Sequence, residues 1–151
     1  MPLTRVVSAD ATDELVELIE PPAVGVELPF ESVDLPETVV QHPSPSDLAA
    51  AKTGITTVDS CVGGYGSVVI NDRGNGAEPI SLFAEKHVAV VAASDVVRSM
   101  NDALIDIGDR VRNGLSSSVI ATGPSATADM GELVQGVHGP ASVHVLLVTD
   151  R

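Results

Sequence analysis

His87-Val88-Ala89-Val90-Val91-Ala92-Ala93 is the stretch on which the fold turns. It is a near-continuous run of small and β-branched apolar residues, the pattern of a strand buried on both faces. Ser94 follows as a helix N-cap. Val96, Val97, Met100, Leu104, Ile107 and Val111 then recur at helical spacing, with Asp102, Asp106, Asp109 and Arg110 facing water, until Asn113-Gly114 stops the helix. Ser117 to Thr122 reads as the next strand, Ser125 to Gln135 as the next helix and Ser142 to Val148 as the last strand. Alternation of this kind predicts a parallel sheet with helical cover and right-handed crossovers: a three-layer, mostly parallel α/β architecture with helices on both faces.

Working back from residue 87, the strand regions 55–59 and 66–71 are rich in β-branched types, and Gly63-Gly64-Tyr65-Gly66 reads as a permissive turn between them. Asp72-Arg73-Gly74-Asn75-Gly76 is a second turn. Ser46-Asp47 offers an N-cap for a brief helix through Lys52, closed by Gly54. Residues 8–20 fit a short acidic helix, capped by Ser8 or Asp10 and ended by Pro21-Pro22. Up to Pro45 the chain is interrupted by further prolines, which predicts a segment wrapping the surface. The expected division is an N-terminal helix and Pro-rich wrapping segment over residues 1–45 and an α/β domain over 46–151, together forming one structural domain.

The 151 residues suffice for a sizeable core. With 44% hydrophobic residues but only Phe30, Tyr65 and Phe83 as aromatics, that core must be built from Val, Leu, Ile and Ala. Twenty-one acidic against eight basic residues give a net charge of −13, which repels phosphate backbones and anionic lipid, so neither nucleic acid nor a membrane surface is an expected partner. The acids are spread along the chain and lysine is rare, a surface suited to a salt-filled cytoplasm. Cys61 is alone, so no disulfide within the chain, no thiolate zinc site and no cysteine-ligated cluster is expected, and a reducing compartment follows. No apolar run reaches the roughly 18–20 residues of a membrane span, and no signal-peptide core opens the chain. The expected location is the cytoplasm.

Chemistry is expected at Gly123-Pro124-Ser125-Ala126-Thr127-Ala128-Asp129, where a strand enters a helix and free amides meet the positive dipole end at the sheet's carboxyl edge. Gly123 permits close approach, Pro124 presets the turn, and Ser125 or Thr127 can donate a hydroxyl to a carboxylate or phosphate. An ordinary N-cap explains the same residues equally well. No Lys follows, so this is not a P-loop, and the final glycine of a nucleophile elbow is missing. Asp129 and His138 are the candidates for acid, base or donor roles. On helix length, however, His138 is expected at the opposite sheet edge from Ser125. His42, His87 and His144 lack metal-ligand spacing, and no metal site is expected. His87, beside Glu85 and Lys86, reads as a solvated strand end, His144 as a core or interface residue, and Cys61 as a buried small side chain.

Ala121-Thr122-Gly123-Pro124-Ser125-Ala126-Thr127-Ala128-Asp129-Met130, followed by Gly136-Val137-His138-Gly139-Pro140 and a Val/Leu strand, resembles the closing signature of the LUD domain, the lactate-utilization protein C family. Thr53-Gly54-Ile55-Thr56, Gly66-Ser67-Val68-Val69-Ile70 and Ser81 to Ser94 align in order upstream, so about two thirds of the chain is covered. Within that family it resembles the short versions of halophilic archaea. The resemblance implies the fold shared by glucosamine-phosphate deaminases, ribose-phosphate isomerases and CoA transferases. It implies a role in oxidising L-lactate to pyruvate beside separate iron-sulfur subunits. The chain departs from the family pattern at Gly64, where an acidic residue is frequent, at Gly131 in place of glutamate and at Ala126 in place of arginine. The expectation is therefore an accessory subunit that holds a small anionic metabolite (carboxylate or phosphate) at Gly123, Pro124, Ser125 and Thr127, with no cofactor of its own. Iron-sulfur oxidoreductase subunits or a second copy in a homodimer would be its protein partners. The alternatives are a stand-alone isomerase, deaminase or CoA-transferase relative, or a purely structural module.

Overall fold

The computed structural model describes residues 3–5, 11–63, 66–122, 126–127, 134–135 and 139–149. In chain order the elements are β1 (Leu3–Arg5), α1 (Ala11–Leu18), β2 (Ala23–Gly25), β3 (Val39–Gln41), α2 (Pro45–Ala50), β4 (Thr53–Thr57), β5 (Ser60–Val62), β6 (Ser67–Asn71), α3 (Ala77–Phe83), β7 (Lys86–Ala92), a 3-10 turn (Ala93–Asp95), β8 (Val96–Val97), α4 (Met100–Arg112), β9 (Ser118–Ala121), β10 (Ala126–Thr127), β11 (Val134–Gln135) and β12 (Ser142–Val148).

β7 is the interior strand its sequence predicts, hydrogen-bonded in parallel to β4 on one side and β12 on the other. The full order is β1-β12-β7-β4-β2-β3, and every pairing in it is parallel. Successive side chains of β7 point to opposite faces. Val88, Val90 and Ala92 meet Ala11 and Leu15 of α1, Phe30 and Val33 on one face. Ala89 and Val91 meet Val68, Ile70, Cys61, Ile80 and Ala84 on the other. The segment 21–45, expected only as a proline-rich connector, supplies β2 and β3 to this sheet.

The second face is covered by α3 and by a sheet absent from the sequence-based expectation. It has four strands in the order β8-β5-β6-β9, with β6 antiparallel to both β5 and β9. Ser118–Ala121 is thus a strand, as expected, but it lies outside the parallel sheet. α4 covers this sheet through Ala103, Met100 and Ile107 against Val62 and Val69.

Several boundaries differ for identifiable reasons. The helix expected from Ser94 starts at Met100, because Ser99 is the residue whose hydroxyl accepts from Asp102 N, while Val96 and Val97 pair with Cys61 and Val62. Ser44, not Ser46-Asp47, caps α2: it accepts from Asp47 N, and the Asp47 carboxylate accepts from Ser44 N in return, a reciprocal capping box with Pro45 at the first helical position. Helix α3 has no counterpart in the expectation. Its seven residues show too little periodicity, and Pro79 is tolerated only because it stands in the first turn.

Gly54, expected as a helix cap, lies inside β4 directly beneath α3. A β-carbon there would stand 2.7 Å from the Ile80 carbonyl oxygen and 2.9 Å from Ala84 Cβ, so glycine is required by close approach of helix to sheet. Gly54→Ala is expected to lower the urea midpoint at unchanged slope, by about 1–3 kcal/mol of stability, the usual range for overpacking. An unaltered midpoint would show that α3 is not seated on β4 as described.

Candidate functional site

The helix expected over Ser125–Gln135 is not formed at either end. Ala126 and Thr127 are extended and pair antiparallel with Gln135 and Val134. The dipole argument for an anion seat at Ser125 therefore loses its helix. Gly123, Pro124, Ser125, Asp129 and His138 lie outside the described residues, as do Gly64 and Gly131.

The residues bordering them are placed, and they change the geometry. β9 runs antiparallel to β6, with Ala121 opposite Val68, so the chain leaves β9 beside Ser67. Ser67 is buried, and its hydroxyl donates to Thr122 Oγ1 at 3.1 Å. Thr122 Oγ1 thus has an acceptor site filled, which leaves its own proton free for a further acceptor. Thr122 lines a cleft of about 210 Å³ with Leu82, Val119, Ile120, Ala121, Gly139, Pro140 and Val143. Gly139 (φ 77°) takes the left-handed turn that glycine accommodates, and Pro140 leads into the amino end of β12.

The described ends of two stretches expected at opposite edges of the sheet, Ala121-Thr122 and Gly139-Pro140, therefore meet at one cleft, on the amino edge and not the carboxyl edge. The crossing that separated them in the sequence reading assumed a parallel β9; the antiparallel strand brings them together. The walls are mostly apolar, and the exposed Thr122 hydroxyl is the polar side chain among the described lining residues. Such a cleft suits a small molecule with a short apolar body and one oxyanion.

Beneath it lies a group the sequence reading misplaced. His87, expected at a solvated strand end, is fully buried, and its Nε2 lies 2.8 Å from Thr56 Oγ1. β4 and β12 begin flush with β7, Lys86 pairing with both Thr53 and Ser142, so the strand end is flanked on both sides. His87 is the register partner of Val143, a cleft-lining residue. Burial holds its pKa down at about 4, so the ring is neutral at pH 7, and Nδ1 is buried with no partner. His144 is half-buried, its pKa lowered by burial and then by the Lys86 charge. Cys61 is buried as expected, and burial raises its thiol pKa. Among the described residues no group of three His, Cys, Asp or Glu side chains is arranged to hold a metal ion, and no helix is long and apolar enough to cross a membrane.

The family model described as the LUD domain matches residues 45–148, a span that holds the cleft from Leu82 to Val143. The chain belongs to the LUD domain family. Lactate utilization protein C of Geobacillus sp. (strain WCH70) is 35% identical over 105 residues, covering 67% of this chain and 44% of that protein. Lactate utilization protein C of Bacillus subtilis (strain 168) is 34% identical over the same shares. This LUD chain thus spans less than half the length of the curated relatives it matches. A DUF162 family protein from Deinococcus radiodurans has a similar fold, with a TM-score of 0.74 at 20% identity, covering 97% of this chain and 87% of that one.

Because His87 is neutral when folded and protonates near its ordinary pKa of 6.5 when unfolded, the unfolded chain binds the extra proton between pH 6.5 and about 4. Stability therefore falls as pH drops through that window. At about 1.4 kcal/mol per pH unit the full effect is roughly 3 kcal/mol. Urea unfolding of wild type and His87→Leu across pH 4–7 should show the difference between them changing with pH in this direction; a constant difference would refute the buried neutral imidazole.

Proposed function

We propose that this LUD-domain chain serves organic-acid utilisation, in the oxidation of L-lactate to pyruvate, by binding a small carboxylate without a redox centre of its own. The cleft where the two family stretches converge carries the reading. Ala121 and Thr122 line it together with Gly139 and Pro140, and Thr122 presents a hydroxyl already polarised by the buried Ser67. Next in the chain, Gly123, Ser125 and Thr127 would supply the remaining donors and Pro124 would preset the turn, while Asp129 and His138 stand in the same two stretches. Lactate offers a methyl group to the Leu82, Ile120 and Val143 walls and a carboxylate to the hydroxyls.

The names of the relatives support the pathway, since both are lactate utilization proteins. The cysteine count supports an accessory role. A cluster held by cysteines needs about four thiolates, and this chain has Cys61 alone, buried in the core. Electron transfer then belongs to a partner such as an iron-sulfur oxidoreductase subunit, and the cytoplasm is the compartment where such partners meet a reduced thiol. A homodimer is compatible with this role.

Calorimetric titration of the protein with L-lactate and with pyruvate is expected to give saturable binding. Thr122→Val and Ser125→Ala should each weaken it about 10-fold, the loss of one hydrogen bond to a charged group. Absence of binding by both acids, or wild-type affinity in both variants, would remove the carboxylate-binding role.

A further inference from the structure

At the other edge of the parallel sheet lies a larger crevice, about 320 Å³, lined by Gly25, Val26, Glu27, Pro29, Gln41, His42, Thr57, Arg73 and Asn75. Its position follows from strand order. β2 lies between β3 and β4, so from the carboxyl end of β2 the chain moves outward to β3, whereas from the carboxyl end of β4 it proceeds inward to β7. The two connections diverge and leave a gap above the ends of β2 and β4, and Gly25 and Thr57 are the last residues of those two strands. Open parallel sheets bind ligands at such reversals of strand order.

The side chains at this gap are arranged for an oxyanion. Arg73 reaches it from the turn after β6, and its guanidinium is fixed by the Asp59 carboxylate, which is only 3% exposed while Arg73 is 56% exposed. Asp59 also accepts from Asn71 N at 2.9 Å, so the same buried carboxylate anchors the strand from which Arg73 springs. Asn75 spends its carbonyl oxygen on Ala77 N at 3.1 Å, which leaves its NH₂ group to donate. His42 holds a left-handed backbone (φ 57°), a conformation that non-glycine residues adopt seldom and often at working sites. Gln41 and Thr57 add donors that can also accept, and Glu27 adds an acceptor. In a chain of net charge −13, Arg73 sets a guanidinium, paired with Asp59, in the lining that also holds Glu27.

We propose that this crevice is a second ligand site, distinct from the cleft at Thr122, which takes a small organic anion bearing hydroxyl groups. The oxyanion sits against Arg73 and the Asn75 amide, and the hydroxyls are read by Gln41, Thr57 and Glu27. The site goes beyond the reading given above: Gly25 to His42 lie upstream of the span matched by the LUD family.

D-glycerate and sn-glycerol 3-phosphate carry the two anion types on one polyol, and glycerol is the uncharged control. Titration of the full chain in about 0.15 M salt, with the His42 ring resonances followed by NMR, is expected to show saturable shifts with at least one anion and none with glycerol. Which anion binds tells whether the site accepts carboxylate or phosphate. Arg73→Gln is expected to weaken binding 10-fold or more, and Gln41→Ala, on an exposed edge strand, about 3-fold. Thr122→Val should leave this binding unchanged, so loss of lactate binding and loss of this site are separately visible. Silence from both anions up to about 10 mM, a millimolar range below which even weak specific sites fill, overturns the proposal. So does equal binding of glycerol, or wild-type affinity in both Arg73→Gln and Gln41→Ala.

Discussion

Nothing in this chain can be placed until Lys86–Ala92 has hydrogen-bonding partners along both edges and apolar cover on both faces. Its backbone has no access to water, so an unpaired amide there would cost more than most side-chain contacts return. Val88 to Val91 are fully buried; on one side Ser142–Val148 adds Val and Leu side chains, and on the other Thr53–Thr57 adds Ile55 and the buried Thr53 and Thr56. Those neighbours set the rest. Glycine at position 54 lets α3 settle onto the sheet, and α1 closes the opposite face through Ala11 and Leu15. Lys86 then ties the start of β7 to the end of α1, donating to the Leu18 carbonyl at 3.1 Å and the Glu20 carboxylate at 2.6 Å.

How far the residues disclose this depends on the range of the interaction that decides each element. β7 was legible because burial on both faces leaves a local mark, a near-continuous apolar run, and β12 because Val143 and Val145 to Val148 are apolar. α4 was legible as a helix, with its end at Asn113-Gly114, since periodicity and capping are also local. The sheet to which Ser118–Ala121 belongs was not legible. A short β-branched segment looks alike whether it pairs parallel or antiparallel, and the partner that decided it, β6, is 47 residues away at the Ser118–Asn71 bond. The same limit explains His87. Charged neighbours at 85 and 86 suggested solvent, but its burial comes from strands that begin some thirty residues before it and some fifty-five after it.

The amino-edge cleft was half legible. Ala121-Thr122 and Gly139-Pro140, which line it, belong to the two stretches that resemble the LUD domain; their meeting could not be deduced, because it rests on the direction of β9. The carboxyl-edge crevice was not legible at all. Its walls come from residues 25–29, 41–42, 57 and 73–75, pieces that carry no shared motif and read locally as a proline-rich connector and a polar turn. Only the order of strands brings them together.

Strand β6 joins the two places. Its first residue, Ser67, donates to Thr122 at the amino-edge cleft. The amide of its last residue, Asn71, is held by Asp59, which also holds Arg73 at the carboxyl-edge crevice. Four residue steps of about 3.4 Å separate these ends, so the two anchoring points stand about 14 Å apart. Between them Val68, Val69 and Ile70 are buried on both faces of the second sheet, against the parallel sheet on one side and α4 on the other. A strand so enclosed cannot slide by one residue without moving every one of these side chains to the opposite packed face. The spacing and relative orientation of Thr122 and Arg73 are therefore fixed by the same packing that holds the two sheets together, and neither group has to be positioned by its own loop.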